Sequence, residues 1–125
     1  MFANLLTDDI EKTKDLFVKL LDYEIEYESD WFISMKKSDE DRVGALLKTC
    51  EFVPDKFQKS TQGVMLTVIV DDVDVYFQRA KKMGVNIIEE PRDLPYGQRR
   101  LLVLDASGAL VDISSPTAEP DPEYT

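Results

Sequence analysis

The hydrophobic and polar positions follow the same succession in each half of the chain. A short apolar run leads to a pair of aspartates, and apolar residues at three- and four-residue spacing come next. This succession predicts a strand followed by an amphipathic helix, because a helix places residues at that spacing on one face. The predicted strand and helix cover residues 2–6 and 10–21 in the first half, and 64–70 and 73–83 in the second.

Three further strand patterns follow each predicted helix. In "YEIEYES" apolar and acidic residues alternate strictly, which predicts a half-buried strand. Residues 91–97, "PRDLPYG", contain turn-forming proline and glycine and predict a loop. The six strands are predicted at 23–29, 31–37, 42–49, 85–90, 98–104 and 109–114.

The predicted fold is therefore an α+β domain, residues 1–115, built from two tandem βαβββ modules. Module one covers about 1–50 and module two covers 64–115. The connector between them, 51–63, breaks the periodicity and contains Pro54 and Gly63. Residues 116–125 form an acidic, proline-rich tail.

The paired aspartates, Asp8 with Asp9 and Asp71 with Asp72, stand where a predicted strand ends and a helix begins. A carboxylate at that point accepts hydrogen bonds from the free backbone N–H groups of the first helical turn, and its charge suits the positive end of the helix dipole. A catalytic pair would need both groups in one cavity, whereas successive residues at a helix entry point apart. We therefore expect the aspartates to cap the helices.

Charge and composition exclude several classes of function. With 25 acidic and 15 basic residues the net charge is −10, which disfavours binding to the phosphates of nucleic acids. The chain contains no histidine, which excludes Ser/His/Asp and Cys/His nucleophile systems. The single cysteine, Cys50, forms no internal disulfide, and no segment has the pattern of an export signal or a membrane span. We expect a cytoplasmic protein with no membrane partner.

The order of elements, together with the segment "PYGQRRLLVLDASGALVDIS", resembles the vicinal oxygen chelate superfamily. This superfamily includes glyoxalase I, metal-dependent fosfomycin-resistance enzymes, extradiol dioxygenases and bleomycin-resistance binding proteins. The positions that carry the resemblance are Gly97, Arg99, Asp105, Gly108 and Asp112; Ala106 replaces the usual proline, and Asp22 replaces the glycine that often ends the first helix. The resemblance implies curved mixed sheets around a cavity, commonly in a homodimer.

The resemblance also locates the residues that bind metal in the metal-using members. A histidine or glutamine stands there about seven residues before the helix-entry aspartate of each module, and an acid stands in the last strand. In this chain the three positions hold Phe2, Met65 and Asp112. Two apolar side chains and one short carboxylate supply too few donors for zinc or iron. We therefore expect no metal and no other cofactor.

Candidate ligand-binding residues lie on the strands and the loop that the resemblance places around the cavity. Flat aromatic rings, thioethers and a few polar groups suit a small, partly aromatic ligand. Strand alternation separates Trp31, Ile33 and Met35 from Phe32 and Ser34, and the sequence does not decide which set faces the cavity. Of the adjacent arginines 99 and 100, only one can point inward. The candidates are Tyr27, Trp31, Met35, Met65, Thr67, Tyr96, Arg100 and Asp112.

Three functions remain open from the sequence. The first is a metal-free protein that binds a small, partly aromatic molecule, with sequestration as the model. The second is a metal-independent lyase or isomerase with Asp112 as catalytic base, assisted by Tyr96 or an arginine. The third is a non-catalytic interaction or regulatory domain with a filled interior. For Asp112, simple pairing with a nearby arginine is the alternative to a functional role.

Overall fold

The structure is a computed structural model that describes residues 1–117. Most of the predicted tail, 116–125, therefore lies outside the described residues. The strands are β1 (Ala3–Thr7), β2 (Glu24–Glu28), β3 (Phe32–Ser38), β4 (Asp41–Leu47), β5 (Met65–Ile69), β6 (Asn86–Leu94), β7 (Gln98–Leu104) and β8 (Leu110–Pro116). The helices are α1 (Ile10–Asp15), which continues as a π-helical segment (Leu16–Leu20), a short 3₁₀ turn (Asp55–Phe57) and α2 (Val73–Met83).

Two four-stranded mixed sheets with the same strand order form the framework. The first sheet has the order β1-β4-β3-β2, and the second has the order β5-β8-β7-β6. In each sheet the first strand of the module lies parallel to the last, and the other pairs are antiparallel. The predicted α+β class and the repeated βαβββ order are confirmed.

The aspartates that precede α1 and α2 cap the helices. Both residues have extended backbones: φ is −141° and ψ is 95° for Asp9, and φ is −142° and ψ is 100° for Asp72. A carboxylate oxygen of Asp9 accepts a hydrogen bond from the backbone N–H of Lys12 at 3.1 Å. Asp72 accepts one from the backbone N–H of Asp74 at 3.0 Å. The capping prediction is confirmed for the second aspartate of each pair.

The chain divides into two compact units, and each packs its helix against one face of its own sheet. Unit 1 comprises Met1–Val64 together with Asp105–Ala109, and the described part of unit 2 comprises Met65–Leu104 and residues 110–117. The opposite face of each sheet is called here its helix-free face. The core of unit 1 includes Leu5, Phe17, Leu20, Ile33, Met35 and Ala45, and the core of unit 2 includes Val73, Ala80, Leu101, Val103, Val111 and Ile113.

A buried polar network fixes the turn Asp105–Ala109 within unit 1. The Thr13 hydroxyl donates a hydrogen bond to Asp105 Oδ2 at 3.0 Å, and the backbone N–H of Ser107 donates to the same oxygen at 2.9 Å. Thr61 donates its backbone N–H to the Ser107 carbonyl at 2.9 Å. Gly108 has a φ of 96°, and a Cβ at this position would collide with the carbonyl of Thr61. A side chain at position 108 is therefore excluded both by the positive φ and by the lack of space.

Three predicted elements differ from the observed ones. The first helix is α-helical only to Asp15 and then widens into the π-helical segment. The alternation in β2 predicts a half-buried strand, but all five of its residues are exposed. Strand β6 continues through Pro91 into the predicted loop, with irregular register on both sides of Glu89. An edge position tolerates proline because one side of the strand needs no N–H donor.

Candidate functional site

The four strands of unit 2 bring polar side chains together on the helix-free face. Thr67 of β5 pairs with Asp112 of β8, and Asp112 pairs with Leu102 of β7. Residues directly opposite each other on adjacent strands point to the same face of a sheet. One row on this face therefore contains Thr67, Asp112, Leu102 and Glu89. The neighbouring row contains Ile69, Ser114 and Arg100.

The Asp112 carboxylate is held by hydroxyl groups on both sides. Thr67 donates a hydrogen bond to Asp112 Oδ2 at 3.0 Å, and Ser114 donates one to Oδ1. Asp112 itself is only 7% exposed. Because a carboxylate has about four acceptor positions, two hydroxyl donors leave it able to accept further hydrogen bonds. The arrangement fixes Asp112 in place and leaves acceptor positions on its two oxygens that these hydroxyl groups do not fill.

The two adjacent arginines point to opposite faces of β7. Arg99 forms an ion pair with Asp74 of α2 at 3.2 Å, so it lies on the helix side. Arg100 lies on the helix-free face, where its Nη2 donates to Glu89 Oε1 at 2.6 Å. The Glu89 carboxylate raises the pKa of Arg100, and the charge of Asp112 adds to this effect. The geometry therefore makes Glu89, rather than Asp112, the direct partner of the inward arginine.

Unmatched polar atoms and exposed apolar side chains lie around these groups. Gln98 Oε1 and Arg100 Nε are buried and have no hydrogen-bond partner. Gln98 is two residues before Arg100 on β7, so both side chains stand on the helix-free face. Met65 and Ile69, on the same face of β5, are 46% and 57% exposed. The face combines apolar surface with polar atoms whose hydrogen-bonding capacity is unused.

Unit 1 carries an exposed aromatic cluster. The rings of Tyr27 and Phe32 lie 5.9 Å apart, those of Phe32 and Trp31 lie 5.9 Å apart, and those of Trp31 and Phe52 lie 5.1 Å apart. Tyr27 and Phe52 are 58% and 65% exposed. Met35 is fully buried in the core on the helix side, so it is not part of this cluster. The side chains of Tyr27, Trp31, Phe32 and Phe52 are called the aromatic cluster below.

A surface groove of unit 1 is lined mainly by acidic groups. It has a volume of about 560 Å³ and includes Asp8, Glu11 and Glu28. Lys14 lies 3.2 Å from both Glu11 and Glu28, and Lys48 lies 2.9 Å from Asp8. These ion pairs balance much of the acidic charge, which is typical of a solvated surface.

The residues at the expected metal positions do not fit a zinc or iron site. In unit 2, Met65 offers only a thioether, and hydroxyl groups contact both oxygens of Asp112. In unit 1, the corresponding position is Phe2, which has no donor atom. Within residues 1–117 no group of three or more histidine, cysteine, aspartate or glutamate side chains is arranged to hold a metal ion. Zinc and iron sites in proteins need three or four nitrogen, oxygen or sulfur donors.

Comparison with protein families decides the relationship of the chain. The family model described as the Glyoxalase/Bleomycin resistance protein/Dioxygenase superfamily matches residues 2–113. The chain belongs to this superfamily. The resemblance expected from the final strands is therefore confirmed, and the repeated βαβββ modules are those of a vicinal oxygen chelate fold. No curated protein sequence matches the chain.

Several solved structures share the fold of this chain at low sequence identity. They include a glyoxalase/bleomycin resistance protein/dioxygenase from Nocardioides, TioX from Micromonospora sp. ML1 and the fosfomycin resistance protein FosX from Mesorhizobium loti. Their sequence identities to this chain are 16%, 21% and 18%, and the TM-scores are 0.70, 0.69 and 0.69. The matches cover 98%, 97% and 94% of this chain and 85%, 98% and 91% of those chains. At this level of identity the similarity concerns the fold.

The structure groups the predicted site residues into two sets. Met65, Thr67, Arg100 and Asp112 share the helix-free face of unit 2, and Tyr96 lies in the turn that leads into β7. Tyr27 and Trp31 belong to the aromatic cluster of unit 1. The sequence interpretation missed Glu89, Gln98, Ser114 and Phe52. The spacing of two residues from Arg100 to Gln98 and from Asp112 to Ser114 was the available signal for two of them.

No helix in the part of the chain that the structure describes is long and apolar enough to cross a membrane.

Proposed function

We propose that this superfamily member binds a small, partly aromatic molecule without a metal, and that the helix-free face of unit 2 is its binding surface. The observation that carries the proposal is the combination around Asp112: a carboxylate fixed by Thr67 and Ser114, beside apolar side chains that remain exposed. Ligand sites in proteins combine apolar surface with a few positioned polar groups. This face has both.

Asp112 serves as a hydrogen-bond anchor in this proposal. Its side chain is nearly buried, and its oxygens retain acceptor positions after the two hydroxyl contacts. An amine, amide or hydroxyl group of a ligand is the natural donor to such a carboxylate. The net charge of −10 also favours basic or neutral ligands over anionic ones.

The aromatic cluster of unit 1 is a separate surface, and by itself it suits a flat ring. Exposed aromatic side chains that already pack against each other add a further ring at little entropic cost, because each has only two side-chain torsions. Trp31 is 38% exposed and is the single tryptophan of the chain, so its fluorescence reports directly on binding at the cluster. Titration of a ligand that contacts the cluster is expected to change that fluorescence.

The alternative of a lyase or isomerase assigns Asp112 the role of catalytic base. A base must reach the proton that it removes, and a second group must stabilise the charge that develops. Arg100 stands in the adjacent row, but its guanidinium donates to Glu89. The hydroxyl groups beside Asp112 suit an anchor at least as well as a base, and we therefore place binding before catalysis.

Native mass spectrometry of protein purified from cell extract tests the binding proposal. The expected spectrum shows the dimer mass that the family resemblance implies and a retained small molecule that is released on denaturation. Asp112→Asn is expected to lose the retained molecule, whereas Asp93→Asn, which changes an exposed acid of β6, is expected to keep it. Stoichiometric zinc, iron or nickel in elemental analysis would contradict the metal-free proposal.

Sequestration and turnover predict different fates for the bound molecule. A sequestering protein returns the molecule unchanged after denaturation, whereas an enzyme returns a product. A protein that carries no small molecule and binds none from the extract would instead favour the interaction or regulatory domain. In that case a complex of the protein with a macromolecular partner is expected as a species of higher mass in the native mass spectrum of the same extract.

A further inference from the structure

Two buried polar atoms on the helix-free face of unit 2 form a donor and an acceptor without partners. Within residues 1–117, three buried side-chain nitrogen or oxygen atoms lack a hydrogen-bond partner, and two of them are Arg100 Nε and Gln98 Oε1. Both side chains project from β7 on the same face, one strand repeat apart. Native proteins leave few buried polar atoms unmatched, because each one has lost its hydrogen bonds to water. Two such atoms on one face of β7, from residues two positions apart, indicate a complementary group that completes them.

The chemistry of the two atoms restricts that group. Arginine Nε is only a donor, and glutamine Oε1 is only an acceptor. The complementary group must present an acceptor and a donor side by side, as the C=O and N–H of an amide do. A carboxylate has no proton to give to Gln98, and an ammonium group has no acceptor for Arg100.

The charges around the pair also favour a neutral group. Arg100 is already ion-paired with Glu89 at 2.6 Å, and the buried Asp112 lies in the next row of the same face. A ligand carboxylate would therefore meet one arginine and two acids. An uncharged amide uses the free Nε–H without disturbing the existing ion pair.

We propose that Arg100 and Gln98 recognise the amide edge of a neutral ligand, a carboxamide or a lactam, through one hydrogen bond donated by Arg100 Nε and one accepted by Gln98 Oε1. This proposal rests on the proposed function, namely that the face binds a small molecule, and it adds the class of ligand. Ile69 lies in the same row as Arg100 and supplies exposed apolar surface for the body of the ligand.

Three probes that share one ring test the ligand class. Benzamide, benzoate and benzylamine carry a neutral amide, an anion and a cation on the same phenyl group, and heteronuclear NMR of the full chain follows each titration. Benzamide is expected to shift the side-chain resonances of Gln98 and Arg100 and to bind about tenfold more tightly than either charged probe, since the two hydrogen bonds form only with the amide. Benzoate or benzylamine binding at this face as tightly as benzamide would overturn the amide assignment while leaving the binding surface intact.

Variants test the two residues separately. Gln98→Met keeps the length of the side chain and removes the acceptor, and Arg100→Lys keeps the charge and removes the Nε–H. Each is expected to weaken benzamide binding about fivefold to tenfold. Gln78→Met on α2 and Arg99→Lys on the helix side of β7 are the matched controls and are expected to bind like the wild type.

The remaining outcomes separate the two proposals. Unchanged benzamide affinity in both folded variants would overturn the pair as the recognition element. An ordered water bound to Arg100 Nε and not displaced by benzamide would do the same. No shift at the helix-free face with any of the three probes would count against the proposed binding surface itself. If a variant fails to fold, the comparison of the three probes on the wild-type protein still decides the ligand class.

Discussion

Thr13→Val tests the network that holds the turn Asp105–Ala109 in unit 1. The change replaces a hydroxyl by a methyl group of similar size at a position with no exposed surface. It removes the hydrogen bond to Asp105 Oδ2 and the 3.1 Å contact with the hydroxyl of Thr7. The Asp105 carboxylate then accepts only from the backbone N–H of Ser107, because its Oδ1 already lacks a partner.

The expected cost follows from the burial of the carboxyl group. Asp105 is 3% exposed, so water cannot replace the lost donor without opening the turn. Asp105 Oδ2 keeps the Ser107 N–H but loses the second of its two donors. A lost buried hydrogen bond of this kind costs about 1–3 kcal/mol, and we expect a loss of about 2 kcal/mol in the free energy of unfolding. With a urea slope of about 2 kcal/mol per molar, the midpoint moves down by about 1 M.

Urea unfolding followed by circular dichroism measures this loss. Thr49→Val, at an exposed position, is the control and is expected to change the midpoint by less than about 0.3 M. A double-mutant cycle with Asp105→Ala isolates the bond itself and is expected to give a coupling of about 1–2 kcal/mol. A coupling near zero, or a Thr13→Val midpoint equal to that of the wild type, would refute the reasoning.

Three further changes test other features of the fold. Gly108→Ala is expected to lower the free energy of unfolding by about 2–3 kcal/mol. Gly84→Ala is expected to cost less, because both glycines have positive φ but only Gly108 lacks space for a Cβ. Equal losses in urea unfolding would contradict this. Asp72→Ala is expected to cost about 1 kcal/mol, whereas Asp72→Asn keeps the cap of α2 and much of the stability in the same assay. Tyr23 donates a hydrogen bond to Asp41 at 2.7 Å, and burial together with Asp41 raises the pKa of the tyrosine above its ordinary value. Because the pKa is raised in the folded state, this contribution to stability is complete below the ordinary tyrosine pKa of about 10 and is lost as the pH rises further. In Tyr23→Phe the free energy of unfolding should therefore fall less steeply with alkaline pH. An unchanged pH slope would disprove the contribution of Tyr23.

The repeated element order and the helix caps could be predicted from the sequence because they depend on local patterns. Hydrophobic spacing defined α2 at both ends, and the position of Asp72 before an apolar stripe identified its cap. The end of β6 could not be predicted, since Pro91 usually breaks a strand and is tolerated here only at a sheet edge. The exposure of β2 could not be predicted either, because alternation defines two faces without saying what covers each of them.

The candidate site was predictable only in part because alternation gives two sets of side chains without saying where the helix packs. The structure places Met35 on the helix side and Arg100 on the helix-free side. That the predicted site residues bind a ligand stays a prediction. The unmatched atoms of Gln98 and Arg100 have no sequence signal, because they depend on the absence of neighbours in three dimensions.

The edges of the two sheets have a consequence for behaviour at high concentration. An open edge strand can add a strand from another molecule and so start aggregation. Edge strand β2 carries three glutamates and an irregular register, and edge strand β6 contains Pro91 and two register shifts. Charge repels an approaching strand at the first edge, and a missing N–H interrupts its ladder at the second. One border of each sheet is thereby protected against intermolecular growth, which helps a protein with so much exposed apolar surface to avoid forming fibrils.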